Sequence, residues 1–263
     1  FIGGGIGSGL IFWSTLFSPL GFDSLWLMLL GLALVGAGLF CVWLEIGRPW
    51  RALNVFKHMS TSWMSREALV APLLFGAGAC TWLLEPLLVW PTALLALLFL
   101  YSQSRILLAN KGIPAWRHPR CPQLVMITGL TEGCGLLLLA LPLTDQPQPA
   151  IWAAMLVLLG VRGLIWRHYR AGLEQVGAPP ACQKKFASID SKFLWLGHLL
   201  PAGLLALALL RPEAAMIAGV LAIGSGAWVK YILICKASFI QGFSMTHLPV
   251  RGQPSTQRPA SVA

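Results

Sequence analysis

The chain has 263 residues, of which 57% are hydrophobic and only 11% are charged. Soluble domains carry about 25% charged residues, so this composition excludes an ordinary soluble enzyme and indicates a membrane protein. The formal net charge of +10 would favour nucleic-acid binding in a soluble chain. Here the cations lie in short loops between apolar runs, where they set the orientation of a membrane protein. We therefore predict no nucleic-acid partner.

Eight apolar runs approach the length of about 20 residues that a membrane-spanning helix needs. They cover residues 2–17, 25–46, 68–88, 90–109, 124–143, 151–166, 193–210 and 214–235. We therefore predict an all-α integral membrane protein with about eight transmembrane helices in residues 1–242. Residues 243–263 are predicted to form a cytoplasmic C-terminal tail. Because the chain opens on Phe and not Met, we expect some N-terminal residues to be missing from this numbering.

The Lys and Arg residues lie almost entirely on one side of such an eight-helix chain. The exception is Arg211, which falls on the other side together with Asp23, Glu85, Asp145 and Glu213. The positive-inside rule makes the basic side cytoplasmic, and an even number of spans places both termini there.

Cysteine and histidine spacing gives no support for a metal centre. The six cysteines are scattered along the chain, whereas zinc and iron–sulfur sites need closely spaced thiolates. Of the five histidines only His198 lies well inside a run, and a haem held between helices needs two such ligands. We predict that this chain holds no metal, no iron–sulfur cluster and no haem. The glycine-rich segment at residues 3–9 follows no strand, so it is predicted to allow close helix packing.

Two regions of the chain carry a resemblance to a known family. The first consists of residues 44–54, LEIGRPWRALN, and residues 60–69, STSWMSREAL. They resemble the membrane anchor subunits of molybdopterin oxidoreductases of the dimethyl sulfoxide reductase type, and more distantly the NrfD-like polysulfide reductase anchors. The second region, KASFIQGF at 236–243 followed by HLPVRG at 247–252, is similar to the branch of that family with cytoplasmic partners.

The resemblance implies a haem-free anchor in the bacterial inner membrane. Such an anchor binds an iron–sulfur subunit with [4Fe-4S] clusters, which binds a molybdopterin catalytic subunit, and it exchanges electrons with ubiquinone or menaquinone. Glu45 stands where the dimethyl sulfoxide reductase anchor has a His tied to quinol oxidation. That loop faces the periplasm in the relative, but here it carries Arg48, Arg51 and Lys57 and is predicted to face the cytoplasm. Cytoplasmic members oxidise sulfite or phenylacetyl-CoA and reduce quinone.

Quinone reduction needs two electrons, two protons and hydrogen-bond donors to the carbonyl oxygens in an apolar slot. The predicted proton-transferring residues are Glu45 and His58. The predicted quinone-binding residues are Glu45, Arg48, Trp50, Arg51, Asn54 and Trp63. Each has a plainer interpretation. Glu45 and Arg48 suit an interfacial ion pair, the tryptophans suit an interfacial aromatic belt, and His58 suits contact with a partner or solvent.

Ionisable residues inside the apolar runs are also candidates. Glu132 and Arg162 are predicted to form either an ion pair or part of a proton path, with Arg105 as another partner for Glu132. His198 is expected to be a hydrogen-bonded packing residue, and Lys230 is expected to snorkel toward the membrane surface. Ser62 or Ser65 is predicted to cap the helix that Arg66 and Glu67 open.

Two other functions compete with a quinone-reactive anchor. A secondary transporter would place Glu132 and Arg162 in a midplane site, although no clear internal repeat is present. A purely structural anchor would leave quinone to bind elsewhere in the complex.

Overall fold

The computed structural model describes residues 1–20, 24–45, 54–56, 58–84, 88–140 and 148–240. Within these ranges the regular structure is helical. The α-helices are α1 Ile2–Leu16, α2 Ser24–Glu45, α3 Trp63–Leu84, α4 Val89–Ala109, α5 Cys121–Leu139, α6 Pro149–Ala171, α7 Pro180–Leu194, α8 Leu200–Leu207 and α9 Ala214–Tyr231. A π-helical segment, Trp195–Leu199, joins α7 to α8, and a second one, Ile232–Lys236, continues α9. Short 3-10 turns cover Ser18–Leu20 and Pro114–Arg117.

Each predicted apolar run coincides with helix, which confirms the all-α fold class. Five described helices are long and apolar enough to cross a membrane by length and composition. They are Leu25–Glu45, Val89–Ala109, Cys121–Leu139, Pro149–Ala171 and Ala214–Lys236. Ile2–Leu16 is apolar but shorter. The count of eight crossings and the cytoplasmic side of the termini therefore stay predictions, and the predicted tail lies outside the described residues.

The chain between the sixth and seventh runs contains a helix that the run pattern does not predict. Helix α7 has buried Phe186, Ile189 and Phe193 on one side and lysines elsewhere, so it lacks a continuous apolar stretch. Pro180 at its first turn suits a helix start, because the missing N–H has no helical partner there in any residue. Residues 180–194 therefore form an amphipathic helix that runs on into the seventh predicted run.

Helix α1 lies inside the bundle, against α2, α4 and α5. Its glycines make this possible. A Cβ on Gly9 would overlap the backbone of α5 at Gly129, and one on Gly7 would overlap the α2 backbone at Gly31. The glycine-rich segment therefore serves close helix packing, as predicted.

The helix ends that carry most cations meet at one end of the bundle. The Trp116 indole donates to the Leu233 carbonyl over 3.0 Å, and the Tyr169 hydroxyl donates to the Ala115 carbonyl over 3.1 Å. These bonds join the turn after α4 to the ends of α6 and α9. We call this end, which also holds the start of α3 and the end of α4, the basic end.

Candidate functional site

The predicted quinone loop is described at its two edges. Glu45 is the last residue of α2 and is exposed, as is Asn54. Neither side chain makes a hydrogen bond or ion pair with another described residue. Arg48, Trp50 and Arg51 lie outside the described residues, so the predicted Glu45–Arg48 pairing stays a prediction.

His58 shapes the turn that leads into α3. Its carbonyl oxygen accepts hydrogen bonds from the backbone N–H groups of Thr61 and Ser62, at 3.2 and 2.9 Å. Ser62 in turn accepts the Ser65 N–H over 3.4 Å, which confirms Ser62 as the cap of α3. The cap explains why α3 begins at Trp63 and not at the predicted residue 68. The His58 side chain is exposed, and its role in proton transfer stays a prediction.

Trp63 lies between two arginines and a tyrosine. The guanidinium carbons of Arg66 and Arg105 lie 4.3 and 5.0 Å from the centroid of the Trp63 ring. The Tyr101 ring meets it edge-on, with centroids 5.5 Å apart. Cation–π attraction stabilises this arrangement when the groups are shielded from water.

The two arginines differ in what they bind. Arg66 donates to the carbonyl oxygens of Met59 and Ser60, at 3.1 and 2.7 Å, so it holds the turn before α3. Arg105 has a buried Nε with no hydrogen-bond partner among the described residues. A buried donor left unpaired is costly, and such a group points to an acceptor outside the described residues.

Glu67 and Gln103 extend this cluster toward the interior. The Gln103 amide nitrogen donates to the Glu67 carboxylate over 3.3 Å, and its amide oxygen is buried without a described partner. Gly4 of α1 leaves the space for this amide, since a Cβ there would clash with it. We call Trp63, Arg66, Glu67, Tyr101, Gln103 and Arg105 the Trp63 site.

The Trp63 site combines a hydrogen-bond donor, a carboxyl group and an aromatic ring. The Arg105 Nε is a donor without a described partner, Glu67 has a carboxyl group that can exchange protons, and the Trp63 ring lies beside two guanidinium groups. The sequence analysis named Trp63, assigned Arg105 to Glu132 and did not single out Gln103. The available signal was that Gln103 and Arg105 are both polar residues near the end of a long apolar run.

Glu132 forms a buried ion pair with Lys230, so the predicted partner Arg105 is wrong. The charge of Arg162 acts on Glu132 without a salt bridge between these two described residues, and their predicted pairing stays a prediction. The Lys230 Nζ lies 2.5 Å from a Glu132 carboxylate oxygen, and the two side chains are 1% and 0% exposed. The expectation that Lys230 snorkels is also wrong. The physical reason is that α9 packs directly on α5, so the desolvated carboxylate finds its cation inside the bundle.

Arg162 is fully buried and is bound to the π-helical segment after α7. It donates to the Gly197 carbonyl, to the Ala222 carbonyl over 3.4 Å and to the His198 Nε2 over 3.3 Å. Since the arginine is the donor, His198 carries its proton on Nδ1 and donates it to the Phe193 carbonyl over 3.0 Å. The prediction that His198 is a hydrogen-bonded packing residue is confirmed. A proton path through Glu132 and Arg162 stays a prediction.

No three His, Cys, Asp or Glu side chains lie close enough to hold a metal ion within the part of the chain that the structure describes. The cysteines at 41, 80, 121, 134, 182 and 235 are free thiols.

Comparison with known families decides what kind of protein this is. The family model of the DMSO reductase anchor subunit (DmsC) matches residues 24–165, more than half of the chain. This chain belongs to the DMSO reductase anchor subunit family. It is thus a multi-pass membrane anchor of a DMSO-reductase-type molybdopterin oxidoreductase complex, as the loop resemblance implies. No curated protein matches the chain. The DmsC match contains the predicted quinone loop, the Trp63 site and both Glu132 and Arg162, but ends before Lys230 and His198.

Proposed function

We propose that this anchor passes electrons between a [4Fe-4S] cluster of a partner subunit and the quinone pool, with the quinone head group at the Trp63 site. The family supports the anchor role, and one observation supports the location. Beside the Trp63 ring, Arg105 has a buried guanidinium Nε without a partner among the described residues, and the Glu67 carboxyl group follows Arg66 at the start of α3. An acceptor on a planar, uncharged ring would satisfy both the donor and the ring face.

Ubiquinone or menaquinone is the substrate and becomes quinol by taking up two electrons and two protons. Arg105 donates a hydrogen bond to a carbonyl oxygen and so favours the charge that develops there. Glu67, held by Gln103, delivers a proton to that oxygen. Glu45 and His58, both exposed before the start of α3, exchange protons with water. Arg48, Trp50, Arg51 and Asn54 are proposed to bind the quinone from the loop before α3, as the sequence predicts.

The complex is proposed to face the cytoplasm of a bacterial inner membrane. The basic end supports this orientation, since cations in short loops stay on the cytoplasmic side. An iron–sulfur subunit and a molybdopterin catalytic subunit dock there, and substrate oxidation, with sulfite as the favoured substrate, reduces quinone. The anchor itself carries neither haem nor cluster, so the terminal cluster of the partner must lie within reach of the Trp63 site.

Purification of the whole complex in a mild detergent tests this proposal. We expect this chain to co-purify with two larger subunits, molybdenum, iron and about one quinone per complex. A chain that emerges without iron-containing partners would contradict the anchor proposal and favour a transporter. An assembled complex that lacks quinone and does not reduce added quinone would leave only the structural anchor.

A further inference from the structure

A groove of about 460 Å³ lies between α6 and the helical segment that follows α7. Five of its ten lining residues are leucines, and two glycines of α6, Gly160 and Gly163, form part of its lining. No atom lies within 4 Å of the position that a Cβ would take on Gly160, so the groove is open at that point.

The groove opens on the outer surface of the bundle. Its rim residues Leu156, Leu164 and Leu199 are 42%, 59% and 55% exposed. Because α6 is long and apolar enough to cross a membrane, leucines exposed along it face lipid chains and not water. The groove is therefore accessible from within the bilayer.

Arg167 marks the polar end of the groove. It is exposed and makes no hydrogen bond or ion pair with another described residue. A second pocket of about 540 Å³ shares Arg167 and Leu194 with the groove and is lined further by Arg170 and Asp190. Asp190 does not neutralise Arg167, since its two carboxylate oxygens bind the Trp166 indole and the Arg170 guanidinium. Arg167 is thus a cation with no described partner, at the point where an apolar groove passes into a polar pocket.

The length of the groove matches one leaflet. Leu156 and Arg167 are separated by eleven positions of α6, which at about 1.5 Å per residue is about 16 Å. This is close to half of the roughly 30 Å thickness of a hydrocarbon core. A ligand with a charged head at Arg167 would therefore reach the midplane with its chain.

We propose that this groove binds an anionic phospholipid, with the phosphate group at Arg167 and one acyl chain along Gly160 and Gly163. Charge complementarity favours a phospholipid over a quinone, whose head group is uncharged. His198 also lines the groove but has no free ring nitrogen for a quinone carbonyl, because Nδ1 donates to Phe193 and Nε2 accepts from Arg162. The site is separate from the Trp63 site and does not depend on quinone chemistry.

The test begins with the intact complex, which is exchanged into phosphatidylcholine vesicles that contain phosphatidylglycerol. The complex is then extracted in detergent, and native mass spectrometry identifies the lipids that remain bound. Two variants should disrupt the site: Gly160→Leu fills the groove, and Arg167→Gln removes the charge. Two matched variants serve as controls. Gly203→Leu adds the same side chain on α8, where a Cβ also meets open space, and Lys184→Gln removes an exposed charge on α7.

We expect wild type and both controls to retain phosphatidylglycerol in preference to phosphatidylcholine. Arg167→Gln should weaken that retention at least about fivefold, as the loss of one cation near the membrane surface implies. Gly160→Leu should weaken it as well, because the leucine side chain occupies the space of the acyl chain. If Gly160→Leu and Arg167→Gln both retain phosphatidylglycerol as well as wild type does, the proposal is overturned. Preferential retention of phosphatidylcholine or of a quinone by the wild-type complex would also overturn it.

Discussion

Lys230 of α9 and Glu132 of α5 form an ion pair inside the bundle, with 2.5 Å between the ammonium nitrogen and a carboxylate oxygen. Neither side chain has more than 1% of its surface exposed. The second carboxylate oxygen of Glu132 is buried without a described hydrogen-bond partner. The pair therefore links two helices across the core while leaving each charge dependent on the other.

Removal of either charge alone should destabilise the anchor strongly. In Glu132→Gln the Lys230 ammonium is buried without a counter-ion, and in Lys230→Met the carboxylate is. Such a loss costs about 3–5 kcal/mol, whereas removal of both charges costs much less. In thermal unfolding of the detergent-purified complex, both single variants should have unfolding temperatures well below that of wild type. The Glu132→Gln/Lys230→Met double variant should unfold at a temperature between those of the single variants and that of wild type. A double variant as unstable as the sum of the singles would show that the two residues do not act as a pair.

Gly226 is expected to be necessary for the same ion pair. A Cβ on Gly226 would lie 2.5 Å from the Glu132 carboxylate, whereas one on Gly224, in the same helix, would meet no atom within 4 Å. Gly226→Ala should therefore lower the stability of the complex. Gly224→Ala should leave it unchanged or raise it by up to about 1 kcal/mol, because Ala favours helix over Gly. The two unfolding temperatures are directly comparable, and equal values for the two variants would show that Gly226 is not necessary for the ion pair.

His118, in the turn between α4 and α5, should make stability depend on pH. Burial, reinforced by the charge of Arg120, lowers the pKa of His118 below its usual value of 6.5. Its Nδ1 accepts the Arg120 backbone N–H over 3.0 Å, which a protonated ring cannot do. The unfolded chain binds the proton more readily, so the stability that the neutral ring provides is lost as the pH falls below about 6.5.

His118→Asn keeps a short acceptor for that N–H but does not titrate. We expect its unfolding temperature to fall less than that of wild type between pH 7.5 and pH 5.5. Parallel pH profiles for the two proteins would show that His118 is not the group responsible.

The positions of most helices could be predicted because membrane-spanning helices have continuous apolar sequences. Helix α7 could not, since it buries only one face and its lysines break the run. The partner of Glu132 could not be predicted either. The apolar runs contain the cations Arg105, Arg162 and Lys230, and Lys230 lies 98 positions away from Glu132, so only the packing of α9 on α5 decides between them.

Only the part of the candidate site that lies in the loop pattern could be predicted, because the rest depends on contacts between helices. Trp63 belongs to the loop pattern that resembles the family, and it does lie in a polar cluster at the basic end. Gln103 and Arg105 come from the far end of another apolar run. Nothing local in the sequence says that the end of α4 meets the start of α3, because that contact follows from their antiparallel packing.

The most direct test of the account is the rate at which added quinone re-oxidises the partner's iron–sulfur clusters. The intact complex is reduced with dithionite, freed of excess reductant and mixed with a water-soluble ubiquinone or menaquinone analogue, and the clusters are followed by electron paramagnetic resonance. Arg105→Gln removes the unpaired donor of the Trp63 site, and Arg211→Gln removes an exposed charge elsewhere as a control.

We predict that Arg105→Gln assembles normally but re-oxidises its clusters about tenfold more slowly or worse, which is the expected loss for one charged hydrogen-bond donor. Arg211→Gln should match wild type. If Arg105→Gln re-oxidises its clusters at the wild-type rate, quinone does not react at the Trp63 site.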